Sequence, residues 1–528
     1  MAAQIVSDRP HRPDAPTRGG LARRPGEGLE AATARLLTEG GDARIVAGPG
    51  GVNAYGCSPW PDAGLVPLGS STASSPSEAG FQAALALHAY LRAAPARIDD
   101  ELQRLRRDLL RLSGADQVPG TELVLAASGT DLHLIVAHLL AAAGPLQAVM
   151  AEPGETGRGV AAALAGCHFG DCTSAGASVP AGVPLATGAP IAAPVGVRLR
   201  DDDGRPRPLA EVDADYVREV ERVLATGARC LLVLTDLSKT GLLAPSPACA
   251  AQLRHRHGER VAVLVDACQF RLAPASLVAY LRQGFLVAVT GSKFVTGPAF
   301  CGGLLLPSAV VPVLRLRPLA ALRAYSTRAD WPPGWAAAAD LPAGPNVGLM
   351  LRWAAALAEL ARLRAVPEAQ AAAFLRRWHA AVTQRLAHAS CLQALPVPSP
   401  ERGGSGVAWD ACPTILPFLI LRPGPQGRMQ ALDMDEAAGL HRRLQQIDCS
   451  LPALMAARPA DWLRVQLGQP VAAARRDGRT LGALRLCASA RLVAQAAESP
   501  QAAERVIAQT LAAIDKLVLL VQRWSCGD

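Results

Sequence analysis

The sequence predicts an α/β protein: a large, mixed and mostly parallel sheet sandwiched by helices, followed by a smaller C-terminal α+β domain. Three observations carry this. Short, continuously apolar runs alternate with helical stretches from Glu122 to Pro307, the pattern of strands buried on both faces. The chain has 528 residues, half of them hydrophobic, which is more than one domain commonly holds and enough for a large core. Near Asp340 the texture changes to long helices rich in Ala, Leu and Arg, then to further strands.

The elements follow in order. Residues 1–45 are rich in Arg, Pro, Gly and Asp and are expected to be a disordered N-terminal arm. Residues 46–77 read as an ordered segment: Gly, Pro and Ser argue for a loop, yet Tyr55, Trp60 and Leu65 need burial. The large domain is placed at 78–340. It opens with helices at Glu78 to Ala94 and Asp99 to Leu112, where apolar residues recur at three-and-four spacing. The runs LVLAAS, LQAVMAE, CLLVLTD, VAVLVDAC, FLVAVTG and GGLLLP are the expected strands. The small domain is placed at 341–528. It has helices at Val347 to Arg364 and Pro367 to His388, strands at Thr414 to Leu421 and Leu484 to Cys487, and a final helix from Pro500 to Trp524.

Composition excludes several classes. The net charge is +8, but Arg is interleaved with acids and no basic stripe carries aromatics, so nucleic acid is not an expected partner. Attraction for anionic metabolites remains. No apolar run reaches membrane-spanning length; that from Leu132 to Ala143 is interrupted by His133 and His138. The N-terminus has no apolar signal core. Twelve dispersed cysteines without CxxC or zinc spacing fit a reducing cytoplasm and no metal. Lysine is the informative residue. Only Lys239, Lys293 and Lys516 occur among many arginines. An amine can lose its proton and attack a carbonyl, whereas a guanidinium stays charged.

Ligands of a doubly wound sheet bind beyond the carboxyl ends of the strands. After LVLAA stands Ser128-Gly129-Thr130-Asp131 and then a helix. This is either an ordinary N-cap or a phosphate cradle of backbone N–H and hydroxyl groups. After VAVLV stands Asp266, with Gln269 three residues on. It is either a structural acid or a carboxylate held opposite a ligand cation. After FLVAV stands Thr290-Gly291-Ser292-Lys293, where partial burial would lower the amine's pKa. A lysine merely reaching the surface is the plain alternative. Cradle, carboxylate and amine in this order match the phosphate, ring nitrogen and aldehyde of pyridoxal 5'-phosphate.

The stretch LVDACQFRLAPASLVAYLRQGFLVAVTGSKFVTGPAFCGGLLL resembles the core of class V aminotransferases and cysteine desulfurases, which are fold-type I enzymes dependent on pyridoxal phosphate. Asp266, Gln269, Thr290, Lys293, Gly297-Pro298 and Gly302-Gly303 match in order, Ser128-Gly129-Thr130 resembles the phosphate loop, and LTDLSKTGLLAP resembles the turn beside the ring. The resemblance implies the aminotransferase-like fold and a Schiff base on Lys293. It implies Asp266 at the ring nitrogen, Gln269 at the ring hydroxyl, and Ser128, Gly129, Thr130, Thr290 and Ser292 around the phosphate. Arg485 resembles the small-domain arginine that grips a substrate carboxylate. A homodimer acting on a small amino acid or amine is implied as well. The chain departs from the family after the phosphate loop, where no aromatic or His is found to stack on the ring and Glu155 or Thr156 is expected to face it. Ser238 or Asp236 stands where an Asn is common. No Cys lies between Cys301 and Cys391, which ranks desulfuration low. Transamination is the first expectation; β-elimination or C–S cleavage and a non-catalytic cofactor-binding protein are the alternatives.

Overall fold

The computed structural model describes residues 24, 26–185, 189–403, 409–424, 428–447 and 463–524. Among them, seven strands form the large sheet: β2 (Glu122–Ala126), β3 (Leu146–Ala151), β4 (Ile191–Val197), β5 (Arg229–Thr235), β6 (Val261–Ala267), β7 (Leu286–Thr290) and β8 (Gly302–Leu306). Their order is β2-β8-β7-β6-β5-β3-β4. β4, β3, β5, β6 and β7 run parallel, and β8 is antiparallel to both its neighbours. Except in the edge strand β4, which is largely open to solvent, the buried Val, Leu and Ala runs of these strands are what a sheet covered on both faces requires.

A second sheet holds β1 (Leu65–Leu68), β9 (Leu392–Ala394), β10 (Ile415–Pro423), β11 (Met429–Ala431), β12 (Arg464–Arg476) and β13 (Arg479–Cys487). β12 and β13 form a hairpin whose turn residues Asp477 and Gly478 both have positive φ, as a two-residue Asp-Gly turn demands. β1 pairs in parallel with β12, Leu65 opposite Arg464 and Leu68 opposite Leu467. The ordered N-terminal segment is therefore a strand of the small-domain sheet.

Two expected boundaries shift. Residues 26–45 are not a free arm. The helix Leu29–Leu36 buries Ala32 and Leu36 and contacts the helices Glu78–Ala93 and Val347–Arg364, so its apolar side chains outweigh the polar sequence around them. The remainder of the expected arm, residues 1–23 and 25, lies outside the described residues. The helix Val347–Arg364 in turn packs on Glu78–Ala93 and Ile98–Ser113 of the large domain, and Trp353 Nε1 donates to the Gly302 carbonyl of β8 at 3.3 Å. Among the described residues no helix is long and apolar enough to cross a membrane. Lys516 is buried, its ammonium donating to the carbonyls of Leu444 and Gln446 at 3.2 and 2.7 Å. It thereby satisfies the end of the helix Met434–Leu444.

Candidate active site

The carboxyl ends of β6 and β7 and the start of the helix Gly129–Ala141 open onto one cavity of about 390 Å³, which Ser128, Gly129, Thr130, Asp266, Thr290, Ser292, Lys293 and Arg485 all line. Eight of the predicted site residues thus converge from four separate stretches of chain. Ser128 caps the helix, its Oγ accepting from the Asp131 amide at 3.3 Å. The N–H groups of Gly129 and Thr130, at the first helical positions, have no acceptor among the described residues, the usual state of a helix N-terminus ready for an anion. A Cβ on Gly129 would come within 2.8 Å of Cys268 Sγ and 3.3 Å of Thr290, so a side chain there would crowd the cradle. Thr290 Oγ1 donates to the Cys268 carbonyl at 2.6 Å and Ser292 Oγ lies 3.5 Å from it.

Asp266 Oδ2 lies 3.2 Å from His133 Nε2, an ionic contact rather than an aligned hydrogen bond. Asp266 Oδ1 accepts from the Cys268 amide at 3.2 Å. His133 Nδ1 is 2.7 Å from the Gly129 carbonyl, which accepts only, so Nδ1 carries the proton. A neutral ring would then turn its Nε2 lone pair on the carboxylate, and the pair is content only when His133 is protonated. Burial opposes charge on both groups, but their mutual attraction wins: His133 is held above its ordinary pKa and Asp266, with Lys293 also nearby, below its own. His133 was missed in the sequence, where it read only as an interruption of an apolar run; its signal was a polar residue four places after Gly129 on a wholly buried helix.

Other expectations are corrected. Gln269 does not line the cavity; its Nε2 donates to the Ser71 carbonyl at 3.1 Å and its Oε1 faces Arg271 at 3.4 Å. Glu155 and Thr156 do not face it either. Glu155 is buried behind it, accepting from Ser238 Oγ at 2.7 Å and from Thr240 N and Oγ1 at 3.2 and 2.7 Å. Three donors meet the carboxylate in that pocket of polar groups, so the acid is consumed there. Gly157 and Arg158 line the cavity in its place. Asp236 is fully buried on Arg402 and Tyr280, and neither it nor Ser238 lines the cavity.

Arg485, on β13, is buried. Its Nη2 donates to Thr72 Oγ1 at 2.9 Å and to the Gln469 carbonyl at 2.6 Å, its Nη1 to the Lys239 carbonyl at 3.2 Å. No carboxylate lies within 4 Å of it among the described residues. Burial draws its pKa down to about 10. The N-terminal segment supplies a further wall. Arg44, paired with Asp42 at 2.6 Å, stands over the Phe300 ring at 5.0 Å, a cation–π contact. Phe300 holds φ at 71°, a left-handed conformation that suits glycine. Arg44 lines the cavity although residues 1–45 read as an arm, and Tyr55 of the ordered segment 46–77 lines it too.

A two-domain α/β chain with a lysine, an ionised carboxylate and a helix N-terminus around one cation-lined cavity defines a fold-type I architecture. A NifS-like protein has this fold, with a TM-score of 0.51 and 11% identity over 85% of this chain and 99% of its own length. Looser likenesses include the cystine C-S lyase C-DES in complex with cysteine persulfide (TM-score 0.47, 16% identity, 85% of this chain and 98% of that one) and the cysteine desulfurase CsdA of Escherichia coli (0.48, 15%, 86% and 95%). No family model matches the sequence, and no curated protein matches it.

Proposed function

We propose that this chain is a pyridoxal-phosphate enzyme, a divergent relative of the class V aminotransferases, and that it transaminates an amino acid. The observation that carries the reading is the convergence of Lys293, the Asp266–His133 pair and the open helix N-terminus on one cavity. The residues present fit the cofactor. Lys293 makes no ion pair within 4 Å among the described residues, leaving its amine available. Ser128, Gly129, Thr130, Thr290 and Ser292 would hold the phosphate, Lys293 the aldehyde, and Asp266 a protonated ring nitrogen. When bound, the group supplies an electron sink for the substrate α-carbon.

The chain's own residues do the rest. Asp266 stays ionised because His133 is charged beside it, and so keeps a proton on any nitrogen it faces. Arg485 presents a guanidinium to an α-carboxylate. Lys293, once its amine is free, moves the proton at the α-carbon. Among the described residues Cys268 is the one thiol lining the cavity. It is buried, and burial pushes its pKa well up, which makes it a poor nucleophile. Cys301 is in the core and pushed up to about 12. These observations favour transamination over sulfur transfer to the protein.

The test loads the purified chain with pyridoxal phosphate and screens amino acids. Transamination predicts loss of the visible absorption of the bound cofactor and one keto acid per amino group taken up. Release of ammonia instead would make it a lyase; no change with any amine would make it a binding protein. Lys293→Ala is expected to abolish cofactor retention after borohydride treatment and denaturation; a variant that still retains it removes Lys293 from this role. A homodimer belongs to the same proposal and is checked by sedimentation.

A further inference from the structure

The cavity holds more positive charge than a phosphate and one carboxylate consume. Arg44, Arg158, Lys239, Lys293 and Arg485 line it, against the single carboxylate of Asp266. Arg44 is neutralised by Asp42 and Asp266 by His133. Lys293 is taken by the cofactor aldehyde in the function proposed above. Arg158 is exposed and solvated. That leaves Arg485, buried, and Lys239, partly buried, neither within 4 Å of a carboxylate among the described residues. Burying a cation without a counter-charge is costly, and here two stand together, since Arg485 donates to the backbone carbonyl of Lys239.

Lys239 is not a surface lysine that folds inward by chance. Its loop is fastened on both sides: Ser238 and Thr240 donate to Glu155, and the Lys239 amide donates to the Glu155 carbonyl at 2.8 Å. Arg200 closes the same cluster, its Nε 3.4 Å from Glu155 Oε1. Glu155 is therefore a positioning residue that spends its carboxylate on the loop and not on the ammonium. Burial, with Arg485 and Lys293 close by, pulls Lys239 down to about 8, the response of an ammonium that lacks its anion.

We propose that Lys239 and Arg485 form a two-point clamp for a dicarboxylic amino acid, with the α-carboxylate on Arg485 and the side-chain carboxylate on Lys239. The proposal rests on the reading of this cavity as the substrate site of a pyridoxal-phosphate enzyme. It makes Lys239 a specificity residue that contacts substrate.

The test measures binding of two unreactive probes, glutarate and butyrate, to the cofactor-loaded chain by titration calorimetry. Glutarate is expected to bind about tenfold or more tightly than butyrate, the size of one added charge-assisted contact. Lys239→Gln should remove most of that ratio while leaving butyrate unchanged. Lys239→Arg should keep a preference for glutarate, and Lys239→Met provides a second neutral variant. Arg485→Gln should weaken both probes. Equal binding of the two by the native chain, or an unchanged ratio in both neutral variants, overturns the clamp. A chain that takes up no cofactor overturns the proposed function instead, and cofactor absorbance on the same samples separates the two failures.

Discussion

Two neighbouring parallel strands each deliver an aspartate to the carboxyl edge of the sheet, and the two acids meet different fates. Asp236, just after β5, is bonded through its amide to the Asp266 carbonyl on β6 at 2.9 Å. Its carboxylate is seized by Arg402, Nε to Oδ2 at 2.7 Å and Nη2 to Oδ1 at 2.5 Å, and by the Tyr280 hydroxyl at 2.7 Å. Burial works against charge on Arg402, but Asp236 overrides it and holds the guanidinium above its ordinary pKa. Asp266 has instead a histidine beside it and a cavity before it. A permanently charged partner makes an acid structural; a titratable partner leaves it able to answer a ligand. The partner, more than the position at a strand end, decides the role.

The sharpest way to break this comparison is to remove Arg402. Arg402→Ala leaves Asp236 buried and unpaired, and should cost about 3–5 kcal/mol of stability, read as a lower urea midpoint. Cofactor uptake by the folded fraction should be unchanged; loss of uptake without loss of stability would reverse the two roles. Asp266→Asn is expected to cost less, about 1–2 kcal/mol, because His133 can shed its proton when the carboxylate is gone. Turnover should nonetheless fall by about 10² or more, and normal turnover would return Asp266 to the structural class. The smallest effect is in the pH dependence of stability. Asp266 sits below its ordinary 3.8, so its contribution is in place above that value and is lost as pH falls through its lower folded pKa. His133 sits above its ordinary 6.5, so its contribution is full below 6.5 and is lost as pH rises through its higher folded pKa. The gap in Tm between the native chain and His133→Gln should be widest between about pH 4 and 6.5 and should narrow above neutrality. A gap independent of pH would mean that the pair is not ionic.

Much of this was legible beforehand, for reasons that particular residues make plain. Six of the seven strands of the large sheet announced themselves because burial on both faces demands unbroken Val, Leu and Ala; β4 was missed because IAAPVGV is an edge strand, largely open to solvent and broken by Pro and Gly. Lys293, Asp266 and Ser128 to Thr130 were legible because each directly follows such a run. Asp236 follows one too, and nothing near it in the chain reveals its partner, since Arg402 lies 166 residues away. β12 was missed because RVQLGQPVAAARR has little β-branched or aromatic content. Its strand character comes from β1 and β13, although Asp477-Gly478 was a usable hairpin signal. Arg44 and Phe300 were invisible as site residues because one sits in a polar stretch and the other occupies a backbone conformation that its residue type does not advertise.

The parallel pairing of β1 with β12 has a consequence for how the molecule comes into being. Val66 leaves the ribosome with no neighbour to zip against, and Val465, its partner in the register, is made on the order of twenty seconds or more later at ordinary translation rates. For that interval β1 carries an open edge, and the wall of the cavity built from Ser71, Thr72 and Ala73 just beyond it has nothing to lean on. The cavity is thus closed late, when a strand from the far half of the sequence reaches back to β1.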